Sequence, residues 1–149
     1  MKPRFSALLT TLVVLSASGC GGDDPTGVAA TVADMLGSWT ITALTFTSVP
    51  PGDSEELISQ GFSGEVEFRS DLTYTLSTTD PQQVVEVDNG TFSVSGSTLT
   101  LTLPGDVTNL TIQELTSTAA TLYSADDSFD FNGDDQDTPA TVTVRLAKQ

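Results

Sequence analysis

Few residue types in this chain could do chemistry, and they reduce to one cysteine and an excess of carboxylates. The 149 residues contain a single Cys, Cys20, together with 20 Asp or Glu and no His. Because histidine is absent, the chain cannot form a Ser-His-acid triad, a Cys-His pair or a histidine-ligated zinc site. Paired carboxylates can hydrolyse glycosides, but none of these acids occupies a recognisable frame for that reaction. We therefore predict a protein that is not an enzyme and has no cofactor.

The densest group of acids runs from Asp126 to Asp137. Oxygen ligands at this density suit calcium, and the residues that would supply them are Asp130, Asn132 and Asp134. The spacing of an EF-hand loop is not met, because Gly133 falls one place early and no Glu closes the loop. We therefore assign no metal and interpret the segment as an acidic hairpin loop, with calcium binding as the alternative.

The single cysteine follows a segment typical of secretion. Lys2 and Arg4 precede the uncharged run Phe5–Leu15, and small residues then lead directly to Cys20. A basic start, an apolar stretch and a small-residue cleavage zone are the marks of a secretory signal peptide. The apolar run is too short for a permanent transmembrane helix, which needs about 20 residues.

The small residues before Cys20 resemble the lipobox of bacterial lipoproteins, although Ala17 stands where that motif usually has Leu. The resemblance implies cleavage before Cys20 and acylation of its thiol and new amino terminus by chains such as palmitate. Two or more acyl chains anchor a protein stably to a membrane. We expect a signal peptide over residues 1–19 and a lipidated flexible tether over residues 20–34. The protein would lie in the cell envelope, and Gly21 favours the outer membrane.

The charge of the chain limits its partners. Five basic residues oppose the 20 acidic ones, for a net charge of −15. Removal of a signal peptide would leave only Arg69, Arg145 and Lys148 as basic residues. Such a surface repels nucleic acid and anionic lipid head groups, so we predict no nucleic-acid partner. The sequence does not identify a protein partner.

After a short helical segment, Val28–Leu36, the pattern changes to β. Thr98–Leu103 alternates Thr with Leu, as a strand with one buried face requires. Turn residues separate the segments, which predicts an antiparallel meander that closes into a barrel or packs as a sandwich. The predicted strands are 38–47, 62–70, 72–79, 83–95 (as one bent strand or a hairpin), 97–103, 108–115, 119–131 and 138–146.

Several motifs resemble the bacterial lipocalin-like domain. The motif residues are Gly37, Trp39 and Arg145, with the segments 65–74, 90–99 and 112–123. The resemblance implies an all-β, up-and-down antiparallel barrel of about eight strands over residues 35–149, with a β-sandwich as the alternative. It also implies that Trp39 closes one end and that Arg145, on the last strand, lies over its indole ring. These roles are structural rather than ligand-binding.

A barrel of this size is filled by side chains or holds one small ligand. The predicted inward residues are mostly large, so a filled core and a cavity both stay open, and Phe68, Tyr74 and Phe92 would be the walls of a cavity. We predict a lipid-anchored envelope module that binds a small hydrophobic ligand; the alternative is a non-enzymatic surface interaction or structural domain with acidic loops. The predicted inward residues are Ile41, Val66, Phe68, Tyr74, Leu76, Phe92, Val94, Leu101, Ile112, Leu122 and Val144.

Overall fold

The computed structural model describes residues 27–149, which form a short helix, α1 (Val32–Met35), followed by nine antiparallel strands. A 3₁₀ turn, Ile58–Gln60, separates the second and third strands. The strands are β1 (Gly37–Ser48), β2 (Ser54–Glu56), β3 (Ser63–Phe68), β4 (Thr73–Thr79), β5 (Val85–Ser95), β6 (Thr98–Leu103), β7 (Asp106–Leu115), β8 (Ala119–Phe129) and β9 (Thr138–Lys148).

The sheet closes on itself because β1 pairs with β9 as well as with β3. The start of β1, residues 37–40, pairs with β3, while residues 45–47 pair with the short strand β2. The barrel proper therefore has eight strands, β1 and β3 to β9, and β2 is an addition beside β1. This confirms the predicted closed barrel and rules out the sandwich. The structure also shows that residues 85–95 form one strand, so the predicted segment 83–95 is a single strand rather than a hairpin.

Alternating side chains form the core of the barrel. In β3, Gly64, Val66 and Phe68 are buried while the residues between them are exposed. This is the period of two that a strand with one face toward a core requires. Two buried clusters result, a larger one that reaches the helix end of the barrel and a smaller one around Phe46 and Val142.

Helix α1 closes one end of the barrel, which we call the closed end. Thr31 begins the helix, and its backbone N–H donates to the carboxylate of Asp34 at 2.8 Å. Before the helix, the N–H of Val28 donates to the Ile112 carbonyl at 2.6 Å and that of Ala30 to the Gly96 carbonyl at 2.8 Å. Part of the segment predicted as a tether is therefore attached to the barrel.

Residues 1–26, with Cys20 and the predicted signal peptide, lie outside the described residues. Within residues 27–149, no helix is long and apolar enough to cross a membrane.

Bulges change which side chains face inward. The pairing of β1 with β9 shifts between Ile41 and Ala43, and that of β8 with β9 shifts between Ser124 and Asp127. A bulge inserts an extra residue and so resets the alternation of the strand beyond it. As a result Asp127 lies opposite Ala140, which is 1% exposed, and shares its inward face.

Candidate functional site

The residues predicted as cavity walls pack against one another in the larger buried cluster, which also contains Met35 and Trp39. The ring centroid of Phe68 lies 6.3 Å from that of Tyr74 and 4.8 Å from that of Phe92. All three side chains are 2–3% exposed. Aromatic pairs at these separations are stabilising contacts within a core. The rings therefore belong to the packed core of this cluster rather than to the wall of an open cavity.

Trp39 closes the end beneath α1. It is fully buried, and its indole Nε1 donates to the Met35 carbonyl at 2.8 Å. Its direct partner on β9 is Lys148, whose Nζ lies 5.0 Å from the centroid of the indole ring. Gly37 has a φ of +116°, and a β-carbon there would lie 3.1 Å from Cε of Lys148. Glycine thus supplies both the backbone conformation and the room for the lysine side chain.

The cation over Trp39 is therefore Lys148, and the predicted contact of Arg145 with the indole was wrong. Arg145 lies opposite Ala43, beyond the bulge in β1, and its side chain is exposed. Residues an odd number apart on a strand face opposite sides, so Arg145 and Lys148 cannot both lie on the face of Trp39. The predicted adjacency of the first and last strands is nevertheless confirmed.

The other end of the barrel, the open end, has an apolar wall that is only half-buried. Leu101 lies on the same face of β6 as Leu99, which is fully buried, yet Leu101 keeps part of its surface exposed. Leu101 is therefore less completely covered by its neighbours than Leu99 is. The apolar side chains that share inward position and partial exposure are Leu44, Leu76, Leu101, Leu103 and Val144.

A second aromatic cluster covers one side of the open end. The rings of Phe46 and Phe129 stack with centroids 4.6 Å apart, and Phe131 meets Phe129 edge-on at 5.0 Å. Leu57 packs into this cluster from the loop after β2. This cluster was not predicted, although Phe129 and Phe131 lie two residues apart in the predicted strand 119–131, a spacing that indicates a shared face.

Glu56 fixes that loop. Its carboxylate accepts the backbone N–H groups of Leu44 at 3.0 Å, Ile58 at 3.2 Å and Ser59 at 2.7 Å. Burial alone would raise the pKa of Glu56, but these hydrogen bonds outweigh it and leave the pKa below its usual value. The carboxylate is thus held ionised as a structural support for Leu57.

Three carboxylates face inward at the open end. Asp88 on β5 lies opposite Leu76, and Asp106 on β7 lies opposite Leu103. Directly opposed residues on antiparallel strands project to the same face, so both acids share the inward face of their apolar partners. Asp127 shares it through Ala140, and all three carboxylates are partly buried. We call Asp88, Asp106 and Asp127 the acidic rim.

The negative charge of Asp127 is unfavourable in the folded protein. Burial raises the pKa of Asp127, and the N–H of Ser128 lowers it by donating to Oδ1 at 2.8 Å. The negative charges of Asp106 and Asp137 raise it further. The net pKa lies above its usual value, which shows that nearby groups do not neutralise this carboxylate.

Tyr74 connects the aromatic core with the acidic rim. A β-carbon at Gly90 would lie 2.7 Å from Cε1 of Tyr74 and would also collide with the Thr102 carbonyl oxygen. Glycine at this position therefore leaves room for the Tyr74 ring to lie against β5, close to Leu103. Burial raises the pKa of the Tyr74 hydroxyl, and the charges of Asp88 and Asp106 raise it further. The hydroxyl thus belongs to the same electrostatic environment as these two acids.

The acidic loop after β8 uses its oxygens for its own hydrogen bonds. Asp130 accepts the backbone N–H groups of Gly133 at 2.8 Å, Asp134 at 3.2 Å and Asp135 at 2.9 Å. Asn132 donates through its amide to Asp134 at 3.1 Å. Among residues 27–149, no three Asp or Glu side chains lie close enough together to hold a metal ion. The loop geometry supports the interpretation as an acidic hairpin loop.

A separate groove of about 420 Å³ lies at the closed end, between the helical segment and the turn after β7. Its walls carry two opposite charges, Asp34 and Lys148, so it does not resemble the apolar interior of the open end. The lining residues are Val28, Ala29, Ala33, Asp34, Leu115, Thr116, Ser117 and Lys148.

Two solved structures and one family model are similar to this chain. A lipocalin-like protein from Bacteroides uniformis superposes with a TM-score of 0.51 at 12% identity, covering 78% of this chain and 99% of that one. Apocrustacyanin C1 superposes with a TM-score of 0.42 at 17% identity, covering 78% of this chain and 61% of that one. No curated protein matches the chain. A family model described as a lipocalin-like domain matches residues 35–124, more than half of the chain. The chain therefore belongs to the lipocalin-like domain family.

Proposed function

We propose that this protein is a lipid-anchored module of the cell envelope that binds a small hydrophobic molecule in the open end of its barrel. The observation that carries the proposal is the half-buried apolar wall, in which side chains such as Leu76 and Leu103 face inward without being sealed. Apolar surface that remains open to water is stabilised when a ligand covers it. A concave apolar site with a few polar groups is the usual form of a small-molecule site.

Family membership supports a binding role in a general sense, because lipocalin-like barrels are generally non-enzymatic binding folds. The packing of Phe68, Tyr74 and Phe92 against one another favours the open end as the place for the ligand. The ligand would rest on Leu76, Leu103 and the aromatic cluster, with the Tyr74 hydroxyl at its inner end. The alternative of a calcium-dependent loop has less support, because the oxygens of Asp130 already accept backbone hydrogen bonds.

The proposed ligand site is tested by a substitution that places a large side chain in the open end. N-phenylnaphthylamine is uncharged at neutral pH and fluoresces in apolar surroundings. The full chain should bind it, and Leu103→Trp should weaken binding by placing an indole in the open end. Val107→Trp is the matched control, because Val107 belongs to the same hairpin but is 58% exposed. Equal binding by both variants, or no binding by the parent, would contradict the proposed site.

The anchor is tested separately at Cys20. The pattern of residues before Cys20 motivates the proposal that its thiol and amino group carry acyl chains. The parent chain should remain in the membrane fraction of a bacterial host and show an added acyl mass. Cys20→Ser should lose both properties while Ser18→Ala, the control, keeps them. If Cys20→Ser stays in washed membranes, the anchor proposal is wrong and the ligand site is unaffected.

A further inference from the structure

The acidic rim has no counter-ion within the part of the chain that the structure describes. That part contains three basic side chains. Arg69 pairs with Glu67 and donates to Thr75 at 3.0 Å, and Lys148 lies over Trp39 at the closed end. Arg145 is exposed on the outer face of β9. Three partly buried carboxylates on an inward face are thus left unneutralised, although burial favours pairing them.

The Tyr74 hydroxyl is a second, independent feature of the same place. The residue is 2% exposed. No buried side-chain oxygen of the described residues lacks a hydrogen-bond partner, so the Tyr74 hydroxyl, which has no partner among their side chains, is reached by solvent. Gly90 leaves room for the ring to lie against β5, close to Leu103, and the residue opposite Leu103 is Asp106. The hydroxyl is therefore aimed at the acidic rim, with a free donor and acceptor for a group bound there.

We propose that the open end binds an amphiphilic cation, an amine or ammonium group on an apolar body, with the cation held by the acidic rim. Asp106 lies opposite Leu103, the residue that the Tyr74 ring approaches at Gly90. It is the main counter-ion, and the Tyr74 hydroxyl accepts a hydrogen bond from the bound amine. The apolar body rests on Leu76, Leu103 and the aromatic cluster. This inference rests on the proposed binding function and specifies the class of ligand.

An organic cation fits the rim better than a metal ion does. A divalent metal needs several oxygens at about 2.0–2.6 Å from one centre. No three acidic side chains in the described residues meet at such a centre. An ammonium head group is larger, attracts separated carboxylates through space, and brings an apolar body that the half-buried leucines can cover.

Three probes with one apolar body test the proposal: phenylbutylamine, phenylbutanol and phenylbutanoate. Each is titrated by calorimetry into the full chain carrying Cys20→Ser, which removes the proposed acylation site. The amine should bind at least about tenfold more tightly than the alcohol, because a carboxylate at close range favours the cation by more than 1 kcal/mol. The carboxylate probe should bind most weakly.

Single substitutions test whether the preference for the amine over the alcohol depends on the acidic rim. Asp106→Asn should reduce the ratio of amine to alcohol affinity to about threefold or less. Asp126→Asn is the control, because Asp126 precedes an acid of the rim but is exposed. Tyr74→Phe keeps the ring and removes the hydroxyl, and should lower the ratio about threefold, the value of one hydrogen bond. This second variant tests the rim even if Asp106→Asn does not fold.

The outcomes distinguish failure of the proposed binding function from failure of the cation proposal. If none of the three probes binds, the proposed binding function fails. If the alcohol binds as tightly as the amine, the hydrophobic site stands and the cation proposal is overturned. A loss of preference in Asp126→Asn equal to that in Asp106→Asn would assign the preference to the overall negative charge. Calcium that displaces the amine at millimolar concentration and raises the melting temperature would show a metal site instead.

Discussion

Inward side chains are more completely buried at the closed end of the barrel than at the open end. At the closed end, Met35 of helix α1 and Trp39 beneath the helix are fully buried, and the one cation there among the described residues lies over an aromatic ring. At the open end, Leu76 and Leu103 remain half-exposed, and the acids opposite them have no cation in the described chain. The same eight strands thus form a fully packed core at the closed end. At the open end they leave apolar and acidic side chains only partly buried. The best-packed part of the core and the proposed binding site therefore lie at different ends of one barrel.

The comparison predicts the largest effect at the plug of the closed end. Trp39→Ala should cost about 3–5 kcal/mol of the free energy of unfolding, because it removes a fully buried ring. Phe131→Ala at the open end should cost clearly less, since Phe131 is already partly exposed. Urea unfolding of both variants measures the difference. Equal losses would mean that the two ends are equally well packed.

Gly90 lies at the boundary between the two ends, and its replacement should have the next largest effect. Gly90→Ala should cost about 1–3 kcal/mol, because the new methyl group collides with the Tyr74 ring and the Thr102 carbonyl. Gly52→Ala is the control, because its β-carbon would meet only Ser48 Oγ, at 3.8 Å. Urea unfolding is again the measurement, and an unchanged midpoint for Gly90→Ala would contradict the described path of the ring.

The third prediction distinguishes Lys148 from Arg145. Lys148→Gln should cost about 0.5–1 kcal/mol through loss of the cation above Trp39. Arg145→Gln should change stability by less than about 0.5 kcal/mol, as an exposed surface substitution does. Chemical unfolding at low and high salt compares them. A larger loss for Arg145→Gln would restore the contact inferred from the sequence.

The smallest effect is expected at Asp127 and depends on pH. Because the folded state raises the pKa of Asp127, ionising this group costs stability as pH rises from the unfolded value of about 3.9 through the folded pKa. Asp127→Asn should therefore raise the melting temperature at pH 7. The gain should disappear below pH of about 4, where the carboxyl is protonated in both states. A variant that is less stable at pH 7 would show that the charge of Asp127 is already compensated.

Much of the barrel follows from local pattern. Alternation identified the eight barrel strands, and seven of the predicted inward residues are buried: Ile41, Val66, Phe68, Tyr74, Phe92, Ile112 and Leu122. Strand β2 was missed because Ser54–Glu56 has no apolar alternation and is defined by pairing with β1. Leu99 was missed although it shares a face with Leu101 in the predicted strand.

The candidate site was less predictable because it depends on register. The bulge in β1 moves Arg145 away from Trp39, and the bulge in β8 turns Asp127 inward. A bulge is set by pairing with a distant strand, so local periodicity does not show it. In the same way, Asp88 and Asp106 are 18 positions apart in the sequence and face one interior only after the barrel closes.

The central proposal is that a small hydrophobic ligand binds only at the open end of the barrel. Two-dimensional amide NMR spectra of the Cys20→Ser chain, titrated with phenylbutanol, test it most directly. The account predicts shifts of the Leu76, Leu103 and Asp106 amides, with the Trp39 indole signal unchanged. Shifts confined to the groove at the closed end, around Ala33 and Ser117, or an unchanged spectrum at saturating probe, would contradict it.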